Sequence, residues 1–302
     1  MRFTRKKKKK IGFIGQGFIG KNYADDFEER GYEVVRYARS EPYNKNKEKL
    51  KECDIVFIAV PTPTTPTGFD YSIVEGVVGL AGKGKTVVIK STMQPGSTEK
   101  IAEKFPDIFV MHSPEFLREK FAAYDARHPD RNIVGISKDT PEYHQKAEEV
   151  LAVLAKAPYN EIMDVRSAEM IKYIGNCFLT TKVVFFNIMY DIAKKLDLEW
   201  ENIREAVAAD PRIGESHTHV VHESGHGGGA KRGAGGHCFI KDFAAVRELH
   251  DKVLPEDKSG NKVLTSIEKK NVELLRDSCK DLDLLEGVYG EEVLKKEERK
   301  KD

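Results

Sequence analysis

The chain is 302 residues long, with 50 Lys and Arg against 49 Asp and Glu, a formal net charge of +1 and an apolar fraction of 40%. That length suggests about two domains, each able to bury its own core, and the balanced charge gives no global case for a nucleic-acid or membrane partner. No apolar run reaches membrane-spanning length, and Cys53, Cys177, Cys238 and Cys279 stand far apart without a C-x-x-C pair, which favours a reduced cytoplasmic protein over a disulfide framework or zinc site.

From the start, Met1 to Lys10 is basic but has no apolar segment behind it, so it reads as a solvated lead-in to a strand and not as a secretory signal. Ile11 to Ile14 is a short buried strand. Gly15-Gln16-Gly17-Phe18-Ile19-Gly20 follows, then an amphipathic run to Arg30 and a second strand, Glu33 to Tyr37. Strand, glycine turn, helix and strand in this order form a dinucleotide-binding context, in which a pyrophosphate rests on amides at a helix N-terminus. An acid is expected at the end of the second strand to hold a ribose 2′-hydroxyl. The residues there are Ala38-Arg39-Ser40-Glu41, and Arg39 with Ser40 would suit a 2′-phosphate. NAD is the first choice and NADP the alternative.

Asp54 to Val60 is another apolar strand, ending in the rigid turn Pro61-Thr62-Pro63. Thr86 to Lys90 repeats the arrangement and runs into Ser91 to Thr98, a loop that opens a helix. Phe109 to His112 leads into Ser113-Pro114-Glu115-Phe116-Leu117-Arg118-Glu119, and Asn132 to Ile136 is a further strand covered by a helix from Pro141 to Lys156. Such alternation predicts an α/β, Rossmann-type doubly wound parallel sheet. Glu115 and Glu119 are four apart and would share one helix face, which by itself reads as a solvated face salt-bridged with Arg118 and Lys120.

Ser167 to Leu196 carries the strongest helical signal. Met170, Ile174, Cys177, Thr181, Val184, Ile188 and Ile192 form one stripe, and Ile171, Phe178, Phe185 and Met189 a second. Two stripes predict a helix that joins two domains and builds a homodimer core. Lys172 and Asn176, one turn apart, read by default as a snorkelling lysine and a solvated asparagine. A helix from Glu201 to Ala209 and a turn at Asp210 to Gly214 follow. His217, His219, His222 and His226 then lie in a glycine-rich loop, with His237 beyond. Because Gly225 separates His222 from His226, no helix is expected to present both, and the loop reads as a substrate cover without a metal.

Gly233 to Asp242 places a thiol directly after a glycine turn and an acid one helical turn later. Cys238 reads either as a nucleophile or as a packed structural cysteine. Helices from Asp242 to Val253 and Val263 to Lys280 complete an all-α second domain. The plan is a dinucleotide-binding domain over 1–165, a helical central domain over 166–288 and a frayed charged tail over 289–302.

Taken together, GQGFIG, AVPTP, STMQPGST, SPEFLRE, the Lys172/Asn176 pair, DPRIG and GGHCFIKD occur between about residue 11 and residue 242 in the order of one family. The chain resembles the UDP-glucose/GDP-mannose dehydrogenases, NAD-dependent enzymes that oxidise the C6 hydroxyl of a nucleotide sugar to a carboxylate. The resemblance implies that Cys238 is the nucleophile, adding to a C6 aldehyde and carrying a thioester that water opens. It implies that Lys172 and Asn176 hold developing oxyanions, that Glu119 with Thr92 serves the hydrolytic water, and that Asp242 orients that water or Lys172. Gly15, Gly17, Phe18, Ile19, Gly20, Arg39, Pro61, Thr62, Thr92 and Glu119 would contact NAD. Glu115, Phe116, Leu117, Lys172, Asn176, Arg212, Gly235 and Gly236 would contact the sugar nucleotide, UDP-glucose being the first choice.

Two departures stand out. Typical members continue into a second Rossmann-like domain, so this chain is expected to be a short form. The loop His217 to Arg232 is also unusually rich in His and Gly, and Lys231 with Arg232 would be candidates for diphosphate binding. A single-step β-hydroxyacid dehydrogenase and a non-catalytic nucleotide-sugar or dinucleotide-binding subunit are the competing readings.

Overall fold

A computed structural model describes residues 8–295, which form two compact units. One holds the residues up to Thr62 together with Asp70–Lys172. The other holds Pro63–Phe69 and the residues from Tyr173 onward.

The first unit follows the predicted alternation. Its opening elements are β1 (Lys10–Ile14), α1 (Phe18–Glu29), β2 (Glu33–Tyr37) and β3 (Ile55–Ile58). A small hairpin, β4 (Thr64–Thr65) with β5 (Gly68–Phe69), belongs to the second unit. The chain then forms α2 (Ser72–Val78), β6 (Thr86–Ile89), α3 (Ser97–Lys104), β7 (Phe109–His112), α4 (Ala122–Arg127), β8 (Arg131–Ile136), α5 (Pro141–Val153) and β9 (Tyr159–Asp164). The seven-stranded sheet runs β2-β1-β3-β6-β7-β8-β9. All pairs are parallel except β7 with β8, which meet antiparallel at Met111↔Ile136 and His112↔Gly135.

The fully buried runs IVFI and TVVI make the central strands, as apolar residues on both faces require. Phe13 stacks on Phe57 at 5.0 Å and meets Phe27 edge-on at 5.5 Å, fastening α1 to the sheet. β9 was not expected. Its sequence YNEIMD is polar and mostly exposed, so this edge strand lacks the apolar run that signals a central one. Thr140 caps α5 by accepting from the Tyr143 amide, with Pro141 at the first helical position.

The second correction concerns Ser113 to Glu119. Glu115 and Glu119 do not share a helix: residues 113–118 have no regular structure, and a single 3₁₀ turn starts at Glu119. Pro114 disfavours helical geometry just before it, and Glu115 is turned into the interior. Arg118 pairs with Asp125 at 2.6 Å instead of an i,i+4 partner.

The long helix α6 (Val165–Lys195) is present, followed by α7 (Trp200–Ala208), the hairpin β10 (Val221–His222) with β11 (Lys231–Arg232), α8 (Gly236–Val253), α9 (Lys258–Asp277) and α10 (Leu282–Tyr289). On α6 the two expected stripes resolve differently. Val183, Val184 and Phe186 are buried, whereas Ile174, Phe178, Phe185, Ile188, Ile192 and Leu196 are 38 to 65% exposed. α8 starts six residues before the expected Asp242, because the glycine turn itself opens the helix. The tail is ordered further than expected: a 3₁₀ turn covers Glu291–Leu294, and Val293 and Leu294 pack with Leu285 and Val288. Residues 1–7 and 296–302, which include part of the basic lead-in and of the charged tail, lie outside the described residues.

Candidate active site

In the first unit, β1 feeds the glycine turn. Gly15 has φ +92, and a Cβ there would stand 2.1 Å from the Ala59 carbonyl oxygen; one on Gly20 would stand 2.0 Å from the Gly15 oxygen. Only glycine permits this close crossing of the β1 and β3 ends. Gly17 caps α1 without a side-chain hydrogen bond, and nothing lies within 4 Å of its Cβ position. Open space over the first-turn amides fits a pyrophosphate cradle. Phe18 and Ile19 begin α1. Arg39 is exposed just past β2, and Pro61 is exposed beyond β3. Arg36, the other guanidinium near that end, is occupied by Asp25 at 2.7 Å and Glu28 at 2.8 Å.

Thr62 is buried and its hydroxyl donates to the Thr92 carbonyl at 2.9 Å, tying the β3 exit to the loop after β6. That loop is held from α6 by a residue the sequence reading passed over. Glu169, fully buried, accepts from the Gly96 amide at 2.6 Å and the Thr98 amide at 2.8 Å. It serves as a remote cap for α3. Burial pushes its carboxyl up to about 7, against the hydrogen bonds that favour the anion.

Lys90, at the end of β6, was also missed. Its ammonium donates to the Ser113 hydroxyl at 3.0 Å and sits 4.6 Å from the Tyr23 ring centroid. Burial pushes it down to about 7, partly opposed by the nearby Glu115 carboxylate. A lysine closing an otherwise apolar strand was the available signal. Beside it, burial and the Lys90 charge hold His112 down to about 3, so that ring is neutral.

The Lys172 ammonium contacts the Glu115 carboxylate at 2.6 Å and the Glu115 carbonyl at 3.0 Å, with both side chains buried. Lys172 is therefore an inward-facing ion pair and not a snorkelling lysine. The other Glu115 oxygen accepts from the Leu117 amide at 2.8 Å, and the Arg131 guanidinium lies 3.9 Å from the Phe116 ring centroid. Glu119 is half-buried at its 3₁₀ turn, apart from the Glu115 pairing.

In the second unit, Cys238 and Asp242 lie one turn apart at the start of α8, as their spacing predicts. Cys238 is half-buried and Asp242 fully buried. Asn176 on α6 donates to one Asp242 oxygen at 2.6 Å, so it is not a solvated asparagine. Lys241 donates to the other oxygen at 2.6 Å, a partner the sequence reading did not name. Burial first, and Asp242 second, push the Cys177 thiol up to about 12; burial does the same to Cys53. Neither provides a thiolate near neutral pH.

Gly235 and Gly236 are buried at the α8 N-terminus, where the Gly236 amide donates to Asp281 at 2.7 Å. Arg212 is exposed and forks onto Asp210 at 2.6 Å. Lys231 donates to the Cys279 carbonyl at 2.6 Å, while Arg232 pairs with Asp191 at 2.8 Å and bonds Asn187. Both cations thus have partners within the protein, which weakens their candidacy for a diphosphate. In the histidine loop, His226 bonds His237 at 3.0 Å and Asp283 at 2.7 Å. Among the described residues, no three His, Cys, Asp or Glu side chains assemble as metal ligands.

Comparison with known proteins places this geometry. Residues 36–154 match the NAD binding domain of the UDP-glucose/GDP-mannose dehydrogenase family, and residues 166–272 match its central domain. The UDP-glucose 6-dehydrogenase of Rickettsia felis is 31% identical over 240 residues, covering 74% of this chain and 49% of that protein. That of Bacillus subtilis is 33% identical over 259 residues, covering 81% of this chain and 54% of that protein. The chain therefore spans about half the length of the curated relatives it matches. A UDP-glucose dehydrogenase structure from Pyrobaculum islandicum superposes with a TM-score of 0.72 at 26% identity, covering 91% of this chain and 72% of that one. A UDP-D-ManNAc dehydrogenase from Pyrococcus horikoshii gives 0.70 at 22% identity, covering 87% and 69%, and speaks for the fold. With a glycine cradle at the β1–α1 turn, the fold of these dehydrogenases and both profiles matched in order, the chain belongs to the UDP-glucose/GDP-mannose dehydrogenase family.

Proposed function

We propose that the protein oxidises the C6 hydroxyl of a nucleotide sugar to a carboxylate in two steps, with UDP-glucose to UDP-glucuronate as the first candidate reaction. The observation that carries this reading is Cys238 standing one turn ahead of a buried Asp242 that Asn176 holds at 2.6 Å. The relatives named UDP-glucose 6-dehydrogenase support the substrate class. NAD, when bound at Gly15, Gly17, Phe18, Ile19 and Gly20, accepts one hydride in each oxidation; Arg39, Pro61, Thr62, Thr92 and Glu119 complete its proposed contacts.

The residues then act in sequence. The C6 alcohol loses a proton and a hydride to become an aldehyde. The Cys238 sulfur adds to that carbon, giving a thiohemiacetal whose oxygen is stabilised by Lys172 charge and Asn176 amide donation. Loss of the second hydride and of the hydroxyl proton leaves a thioester. Water, deprotonated with help from Glu119 and Thr92 and oriented by Asp242, attacks it and releases the carboxylate and the thiol. Glu115, Phe116, Leu117, Arg212 and the backbone of Gly235 and Gly236 are proposed to line the sugar diphosphate. A dinucleotide-binding domain over 1–165 and a helical substrate domain over 166–288 would divide this work, with two chains paired through the α6 face.

The test is a panel of UDP- and GDP-sugars incubated with NAD or NADP. The expected result is two reduced cofactors per sugar carboxylate and a covalent sugar–Cys238 adduct by mass spectrometry. One reduced cofactor per sugar, or full activity of Cys238→Ser, would overturn it.

A further inference from the structure

Lys280 and Asp281 lie 42 and 43 residues beyond Cys238 in the sequence, outside every motif that marks the family here. The Lys280 ammonium donates to three main-chain carbonyls: Gly233 at 2.8 Å, His222 at 2.9 Å and Lys231 at 3.2 Å. A lysine ammonium has three protons, so each is used. The acceptors come from both strands of the β10–β11 hairpin and from the glycine turn, so one buried cation joins all three segments. Burial pushes Lys280 down to about 8, opposed by the adjacent Asp281.

Asp281, in left-handed geometry at φ 52, accepts from the Gly236 amide at 2.7 Å and from the Ser224 hydroxyl at 3.0 Å. Asn271 adds a reciprocal pair, accepting from the Ala234 amide at 2.7 Å and donating to the Ala234 carbonyl at 2.9 Å. The same contacts explain Gly235. A Cβ there would stand 2.1 Å from the Asp281 carboxylate and 2.9 Å from the Lys280 Cε. Thus Gly233, Ala234 and Gly236 are bonded to Lys280, Asn271 and Asp281 in turn, Gly235 has no room for a side chain against Lys280 and Asp281, and the first turn of α8 presents Cys238.

We propose that Lys280 and Asp281 are positioning residues, which set the geometry of the glycine turn so that the α8 N-terminus aims and activates Cys238. The inference rests on the reading of Cys238 as the nucleophile, but its test does not require turnover. Cys238 is the third residue of α8; a thiol in the first turn of a helix gains thiolate character from the helix N-terminus, and a loosened turn loses that gain.

The experiment measures alkylation of Cys238 by iodoacetamide, followed by peptide mass spectrometry, in the full chain and in Lys280→Met and Asp281→Asn. Thermal melts and a titration with NAD accompany it. At pH 7 the Cys238 rate is expected to fall about tenfold in Lys280→Met, with a cooperative melt and unchanged NAD affinity, and Lys280→Arg should recover part of it. Asp281→Asn keeps the packing against Gly235 and should also change the rate, so the idea stays testable if Lys280→Met does not fold. Alkylation rates equal to wild type in folded variants would overturn the proposal, whatever the activity assays give. Rates that fall while Cys238→Ser stays fully active would uphold the positioning and remove only the nucleophile reading.

Discussion

Asn176 and Asp242 lie 66 residues apart in the chain and are joined by a 2.6 Å hydrogen bond from the Asn176 amide to one carboxylate oxygen. Asp242 is fully buried, and its other oxygen is taken by Lys241. A buried carboxylate deprived of a partner bears the desolvation cost of that loss. Asn176→Ala should therefore destabilise the protein by about 1–3 kcal/mol, read as a lowered denaturant midpoint. Asp242→Asn keeps shape and packing but removes the charge proposed to orient water. It should lower turnover by about a hundredfold or more with a smaller effect on melting. Equal activity of Asp242→Asn and wild type would remove Asp242 from the proposed mechanism.

The Lys172–Glu115 pair makes a sharper stability test, since both side chains are nearly excluded from solvent and 2.6 Å apart. Breaking a buried pair strands the remaining charge. Lys172→Ala is expected to cost about 3–5 kcal/mol, and Lys172→Met with Glu115→Gln together should cost less than the sum of the two single changes. A double-mutant cycle on denaturant midpoints measures this. Additive effects would mean that the two groups do not depend on each other.

Much of this was legible because it depends on local patterning. The runs IVFI and TVVI announce buried strands, the glycines at 15 and 20 announce a turn that no larger residue can make, and a thiol four residues before an acid places both on one helix face. What escaped depends on partners distant in sequence. Glu169 looks like an ordinary polar residue of α6 until the Gly96 and Thr98 amides are found against it. Lys280 looks like a surface lysine until three carbonyls surround it. The reverse error occurred at Glu115 and Glu119, where helical spacing was assumed and Pro114 with the buried Lys172 pairing prevailed.

Glu169 gives the protein a pH signature. Burial raises its carboxyl from 4.5 to about 7, so between those values the folded state binds a proton that the unfolded chain releases. The associated stability is fully present below about 4.5 and is lost as pH rises through about 7. Glu169→Gln cannot titrate. The difference in melting temperature between wild type and this variant should therefore change in favour of the variant from pH 4.5 to 8, by an amount equivalent to a few kcal/mol. Parallel curves over that range would show that Glu169 is already ionised at the lower pH, through its two backbone hydrogen bonds.

The outward face of α6 carries the last prediction. Ile174, Phe178, Phe185, Ile188, Ile192 and Leu196 follow one another at three-, four- and, between Phe178 and Phe185, seven-residue spacing, and each is substantially exposed. Such a row lies on one side of a helix, and a contiguous apolar patch of this kind marks an association surface more often than a bare exterior. A two-fold pairing of identical helices would bury the same residues on both chains. Sedimentation of the wild type at micromolar concentration should give a dimer. Phe178→Glu combined with Ile188→Glu places two charges in each half of that contact and should yield a folded monomer, because an unpaired carboxylate is costly at a closed apolar interface. Phe185→Leu keeps the apolar character and should remain dimeric. A wild-type monomer, or a dimer that persists in the double glutamate variant, would mean that the chain associates through another face or not at all.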